Sequence, residues 1–142
     1  ASLATGSRMR VPDFLSVLAL GHLKNDQPDL GLAKIDEAMK VISETGERWN
    51  EVNIYCIKGR LLKSKSLLDE AESAFLEGIN IAKQQSAKSY ELRITTQLAL
   101  LMYEQGKNEV ARHVLEPVYS WFTEGFENRD QKDARALLQK LT

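Results

Sequence analysis

Residues 59–79 read GRLLKSKSLLDEAESAFLEGI, and their order of small and large apolar side chains recurs 40 residues earlier and 40 residues later. The aligned columns are Phe14, Ile54 and Ile94; Ala19, Gly59 and Ala99; Gly31, Ala71 and Ala111; Ile35, Phe75 and Leu115; Ala38, Gly78 and Val118; and Met39, Ile79 and Tyr119. Such self-similarity is typical of units that cannot bury an apolar face alone and therefore stack on their neighbours. We predict a stack of structural repeats.

Each repeat is predicted to be a pair of antiparallel helices, because small residues let two helix backbones approach and large ones fill the space beside them. The predicted helices are 12–24, 28–44, 47–65, 68–85, 88–104, 108–123 and 130–141. No strand is predicted, because no short stretch alternates apolar and polar residues. The expected fold is a single all-α domain over residues 1–142, a right-handed superhelical stack. Its repeats cover approximately 12–46, 47–86 and 87–126, with a capping helix at 130–141.

Residues at the predicted helix ends agree with these boundaries. Pro28 suits the first position of a helix, where its missing N–H costs nothing. Asn108 and Asp130 are predicted N-caps. Gly46 and Gly106 follow predicted helix ends, where glycine readily adopts the left-handed conformation.

The first ten residues resemble the end of an earlier helix entering a turn. Thr5-Gly6 repeats Thr45-Gly46 at the same 40-residue spacing. We therefore expect the chain to be part of a longer array.

Composition excludes several classes of partner. The chain has 43% hydrophobic and 27% charged residues and a formal net charge of −1. This balance argues against nucleic-acid binding, which favours a basic excess. The longest apolar run, residues 98–102, is far too short to span a bilayer. The single cysteine, Cys56, fits a reducing, cytoplasmic setting.

Motifs for catalysis, phosphate binding and metal binding are absent from the sequence, so we expect no enzyme activity, cofactor or metal. His22 and His113 have no second ligand at helical spacing. Cys56 is expected to be a packed thiol. The large aromatics near the repeat ends are expected to fill the gap to the next helix; these are Trp49, Tyr119, Trp121 and Phe122.

The second repeat resembles the tetratricopeptide family. The residues that match its signature are Gly59, Leu62, Ala71, Phe75 and Gly78. Lys83 stands where that family has its closing proline, and the period of 40 exceeds the family's usual length of about 34. HEAT-type units, whose period is about 40–47, remain the alternative architecture.

Residues 31–141 also resemble the C-terminal repeat region of bacterial multidomain signalling ATPases, which carry a cyclase or a DNA-binding output domain. Three stretches carry this resemblance: residues 44–49 (ETGERW), 58–62 (KGRLL) and 117–126 (PVYSWFTEGF). The resemblance implies a cytoplasmic regulatory role in signalling or transcription, as a sensor arm without chemistry of its own.

In tetratricopeptide arrays the first helix of each pair lines a concave groove, which binds a peptide or a protein domain. The family's inward positions correspond here to Asp13, Ser16, Val17 and Leu20 in the first repeat. In the second repeat they correspond to Asn53, Cys56, Ile57, Arg60 and Lys63. In the third they correspond to Arg93, Thr96, Gln97, Leu100 and Tyr103. The cations among them suit an acidic peptide or a C-terminal carboxylate.

Two other functions are compatible with the sequence. A small inducer molecule would occupy a pocket lined by Arg93, Gln97 and Tyr103. Self-association would use the apolar side of the first repeat, through Phe14, Leu15 and Leu18.

Overall fold

The helices lie where the repeat pattern predicts them. The computed structural model describes residues 11–122 and 128–142, which form seven α-helices and no strand. The helices are α1 (Val11–Lys24), α2 (Pro28–Thr45), α3 (Glu51–Ser64), α4 (Leu68–Gln84), α5 (Lys88–Glu104), α6 (Asn108–Ser120) and α7 (Arg129–Leu141). The all-α prediction is confirmed. The predicted helix end at Thr123, the Thr5-Gly6 turn and part of the 117–126 motif lie outside the described residues.

Left-handed residues separate the helices at intervals of 20 residues. The φ angles are 57° at Asp26, 73° at Gly46, 62° at Ser66, 54° at Ser86 and 79° at Gly106. Gly46 and Gly106 therefore behave as predicted, and the other three positions carry side chains. The left-handed residues thus recur at half the 40-residue spacing of the sequence pattern.

The turn at Ser66 shows how these helix ends are closed. The N–H of Ser66 donates to the carbonyl of Lys63 at 2.8 Å, and the N–H of Leu67 donates to the carbonyl of Leu62 at 3.0 Å. This pair of hydrogen bonds is the Schellman motif, which satisfies carbonyls that the helix end leaves free. The turns at Asp26, Ser86 and Gly106 have the same pair of bonds.

Both predicted N-caps differ from the structure. Pro28 begins α2 as expected. Asn108 is not a cap, because the N-cap position of α6 is Lys107, without a side-chain hydrogen bond. Asp130 is not a cap either: the Asn128 side chain accepts the Gln131 N–H at 2.9 Å.

Helix α3 begins at Glu51, four residues after its predicted start. The residues before it form a turn that the side chain of Asn50 holds in place. Asn50 is buried, and its Nδ2 donates to Asp13 Oδ1 at 2.9 Å. This bond ties the entry of α3 to the first turn of α1.

The chain divides into two compact units, Ala1–Ala74 and Phe75–Thr142. In the first unit, α1 packs on α2, and α3 packs on both. Gly31 lies at the close approach: a Cβ there would stand 2.6 Å from Leu61 Cδ2 and 3.2 Å from the carbonyl oxygen of Ala19. The core around it is Leu15, Ala19, Ile35, Ala38, Ile42, Ile54, Ile57 and Leu61.

In the second unit, α5 packs against α6 and α7, and α6 packs against α7. Helix α5 is buried on most sides, whereas α7 buries a single stripe. That stripe consists of Gln131, Ala134, Leu137 and Leu141. Helix α4 contributes residues 68–74 to the first unit and 75–84 to the second.

None of the helices in the described part of the chain has both the length and the apolar character needed to cross a bilayer.

Candidate functional site

The predicted partner-binding residues of the second repeat share one face of α3. Their spacing of three and four residues places Asn53, Cys56, Ile57, Arg60 and Lys63 in one row. Cys56 and Ile57 are buried, at 3% and 4% exposure, which confirms the expectation of a packed thiol. The polar members, Asn53, Arg60 and Lys63, are half-buried and form the accessible part of this row.

The predicted residues of the third repeat share one face of α5. Gln97, Leu100 and Tyr103 are half-buried. Thr96 is 7% exposed, and its hydroxyl donates to the carbonyl of Leu92 at 2.8 Å. The accessible part of this row is therefore amide, aliphatic and aromatic.

Arg93, the cation of the α5 row, makes a two-point ion pair with Asp130. Its Nε donates to Asp130 Oδ1 at 3.0 Å, and a terminal nitrogen donates to Oδ2 at 3.2 Å. The guanidinium also lies 5.2 Å from the ring centre of Tyr90. Parallel bonds of this kind fix orientation as well as distance. Arg93 thus connects α5 to the first turn of α7.

The first-repeat positions are partly engaged within their own unit. Asp13 accepts the bond from Asn50, and the Ser16 hydroxyl donates to the carbonyl of Asp13 at 2.7 Å. Val17 is 66% exposed. Of the residues considered for self-association, Phe14 is 64% exposed, Leu15 is buried and Leu18 is half-buried.

The second unit contains a cleft of about 400 Å³ between the second part of α4, α5 and α6. None of the predicted groove residues lines it. Its apolar walls are Leu76, Ile79, Leu98, Val114, Pro117 and Val118. Its polar lining is Lys83, Lys88, Glu91, Thr95 and His113, with Trp121 at the rim.

The two ends of the cleft differ in chemistry. Lys83 is in the last turn of α4 and Lys88 is the first residue of α5, so both flank the Ser86 turn. Trp121 directly follows α6 and meets Lys88, whose Nζ lies 5.4 Å from the ring centre. Leu76 and Leu98 lie two to three helical turns away from these lysines along their helices. One end of the cleft is therefore basic and aromatic, and the other is mainly aliphatic, with His113 next to Val114 on α6.

Glu91 is the buried charge of this cleft. Its side chain is 4% exposed and lies 3.3 Å from Lys88 Nζ. The same repeat positions pair in the first unit, where Arg48 meets Glu51 at 2.9 Å. Both carboxylates lie in the first turn of a helix, where the partial positive charge of the helix end favours an anion. The same ion pair thus occurs at two places 40 residues apart and is not particular to this cleft.

Lys83 is exposed and has no ion-pair partner among the described residues. The same position one repeat earlier is Ser43. The charge that Lys83 adds at the basic end is therefore particular to this cleft.

Two groups in the cleft wall depart from ordinary helix chemistry. The Thr95 hydroxyl is buried and has no hydrogen-bond partner within the described residues. Pro117 lies inside α6 and has no N–H, so the carbonyl of His113 lacks its usual donor from four residues ahead. Of the two, the Thr95 hydroxyl is buried, and buried polar groups without partners are uncommon.

The expectation that the aromatics fill gaps is wrong for both tryptophans. Trp49 is 50% exposed and Trp121 is 57% exposed. Trp121 packs edge-to-face on Phe122, with ring centres 5.1 Å apart. The one sequence signal for the cleft was Lys83, at the position of the tetratricopeptide signature's proline. That Trp121 lines the same cleft could not be read from the sequence.

Among the described residues, no group of three or more His, Cys, Asp or Glu side chains could hold a metal ion. No protein-family model, curated protein or solved structure gives a significant match to this chain.

Proposed function

We propose that this chain is a non-catalytic helical-repeat module of the tetratricopeptide kind, which binds a protein or peptide. The observation that supports this best is the row on α3. Asn53, Arg60 and Lys63 remain half-exposed on α3, although Ile57 on the same face packs into the core of the first unit. A rigid helix that presents an amide and two cations in line suits an extended acidic peptide.

The regular turns add support for the class of protein. Left-handed residues at every twentieth position divide the chain into helices of similar length. Repeats of this kind commonly serve as binding surfaces. A regulatory role as the sensor arm of a signalling ATPase is proposed on the sequence resemblance alone.

The experiment selects peptides on the purified chain from a random display library and measures their affinities by fluorescence polarisation. We expect the selected peptides to be rich in Asp and Glu. The variant Arg60→Glu/Lys63→Glu should weaken their binding at least tenfold, because each change replaces an attraction with a repulsion. Arg93 is left intact, because its loss would also disturb α7.

The matched control is Lys24→Glu/Lys40→Glu, which makes the same change of charge at exposed positions of α1 and α2. Circular dichroism establishes that both variants are folded. The proposal is wrong if no peptide is enriched, or if the two variants bind the selected peptides equally well.

A further inference from the structure

The cleft of the second unit is not accounted for by partner binding through α3. Its exposed apolar residues are large: Leu76 is 50% exposed and Trp121 is 57% exposed. Covering exposed apolar side chains is favourable, at about 25 cal/mol per Å². Contiguous exposed apolar surface that is rimmed by polar residues often marks a binding site.

The dimensions of the cleft favour a small molecule over a docked helix. Its volume of about 400 Å³ lies within the range of small-molecule sites, about 300–1,000 Å³. From Lys88 to Leu98 the cleft follows α5 for about 15 Å, which is fewer than three helical turns, at about 1.5 Å per residue. A bound amphipathic helix would need several turns of groove, so the space suits a compact ligand.

The charges at the basic end of the cleft favour an anionic ligand. Lys83 has no ion-pair partner among the described residues, and Lys88 adds a second positive charge at the same end. Glu91 is buried and already paired with Lys88, so its carboxylate is not presented to a cationic ligand. The net charge of the basic end is therefore positive.

We propose that this cleft binds a small amphipathic carboxylate. The carboxylate lies at the basic end, against Lys83 and Lys88, and the apolar tail follows Leu98 and Val114 toward Leu76. Trp121 covers the head of the ligand at the rim. This site is separate from the row on α3, so the two proposals can fail independently.

The Thr95 hydroxyl lines the cleft without a hydrogen-bond partner among the described residues, which is consistent with a ligand bound beside it. A buried hydroxyl without a partner is unfavourable, and a small movement of the wall on binding would give it an acceptor.

The test uses the full chain with Trp49→Phe, which leaves Trp121 as the tryptophan reporter. The probes are decanoate, decanol and decyltrimethylammonium, each below its micelle concentration. We expect a saturable change of Trp121 emission with decanoate, at least tenfold weaker binding of decanol, and no saturable binding of the cation. Decanoate should also raise the melting temperature, as any ligand of the folded state does.

Variants then locate the site. Lys83→Glu and Leu76→Glu should each weaken decanoate binding at least tenfold, because one reverses the charge at the head and the other places a charge beside the tail. The control Lys140→Glu changes an exposed lysine of α7 outside the cleft and should leave the affinity unchanged.

Three results would overturn the inference: no saturable response to decanoate in emission or melting temperature, equal affinity for the cationic probe, or undiminished binding by a folded Lys83→Glu variant. A fourth arm uses an acidic amphipathic peptide of twelve residues. Binding of the peptide at Trp121 without binding of decanoate would assign the cleft to a protein partner and also overturn the inference.

Discussion

Ser66 holds a conformation that suits glycine better. Its φ of 62° lies in the left-handed region, which costs a residue with a side chain about 1–2 kcal/mol relative to the right-handed region. We expect Ser66→Gly to increase the free energy of unfolding by about 0.5–1 kcal/mol, since the larger entropy of glycine in the unfolded chain offsets part of the gain. Urea denaturation measures the change.

The matched control for Ser66 is Ser73→Gly. Ser73 is an exposed residue inside α4, where glycine is expected to cost about 0.5 kcal/mol through lower helix propensity. The change from serine to glycine should therefore raise the free energy of unfolding at Ser66 and lower it at Ser73. If both variants lose stability, the left-handed conformation at Ser66 carries no strain.

Thr95 and Thr96 offer a second comparison within one helix. Both are buried, but the Thr96 hydroxyl has an acceptor and the Thr95 hydroxyl has none among the described residues. Thr95→Val should stabilise the free protein by about 1 kcal/mol, because it replaces an unsatisfied polar group with a methyl of similar shape. Thr96→Val should be neutral or slightly destabilising. Equal effects in thermal melts would show that the Thr95 hydroxyl is satisfied in solution.

At the scale of elements, Arg93 and Asp130 join α5 to α7. The Arg93 side chain is 41% exposed and that of Asp130 is 19% exposed, so solvent screens much of the attraction. We expect a double-mutant cycle with Arg93→Ala and Asp130→Ala to give a coupling energy of about 0.5–1 kcal/mol. The stability of each variant is measured by urea denaturation.

The control for this cycle is the pair Arg129–Asp133, which lies on the same helix, α7. Its separation is 3.9 Å and its side chains are 90% and 60% exposed. We expect no measurable coupling between these two residues. A coupling at Arg93–Asp130 that is no larger than the control would mean that the two-point ion pair does not hold α7 in place.

The bounds of the helices could be predicted from sequence because the 40-residue repeat and Gly46 mark them locally. The start of α3 could not, since Asn50 at the N-cap donates to Asp13, a partner 37 residues away. The left-handed turn at Ser66 could not be predicted from sequence either. Serine carries no strong local preference for that conformation, and the chain reversal between two packed helices imposes it.

At the scale of the whole molecule, the candidate sites could also be predicted from sequence only in part. Spacing alone placed Arg60 and Lys63 on one face of α3, because helical periodicity is a local property. It could not show that Asp130 engages Arg93, or that Lys83 and Trp121 border one cleft. Those contacts depend on how the helices pack, and no single stretch of sequence predicts them.

Both compact units depend on α4, because residues 68–74 belong to one and residues 75–84 to the other. Helix formation is cooperative, so we expect the units to unfold together. Ile35→Ala should destabilise the first unit by about 3 kcal/mol, since Ile35 is fully buried. Hydrogen exchange should then speed up about 100-fold for the slowest amides of α2 and, by the same factor, of α6. The exposed neighbour Asp36→Ala should change neither. Faster exchange in α2 with α6 unaffected would mean that each unit folds by itself.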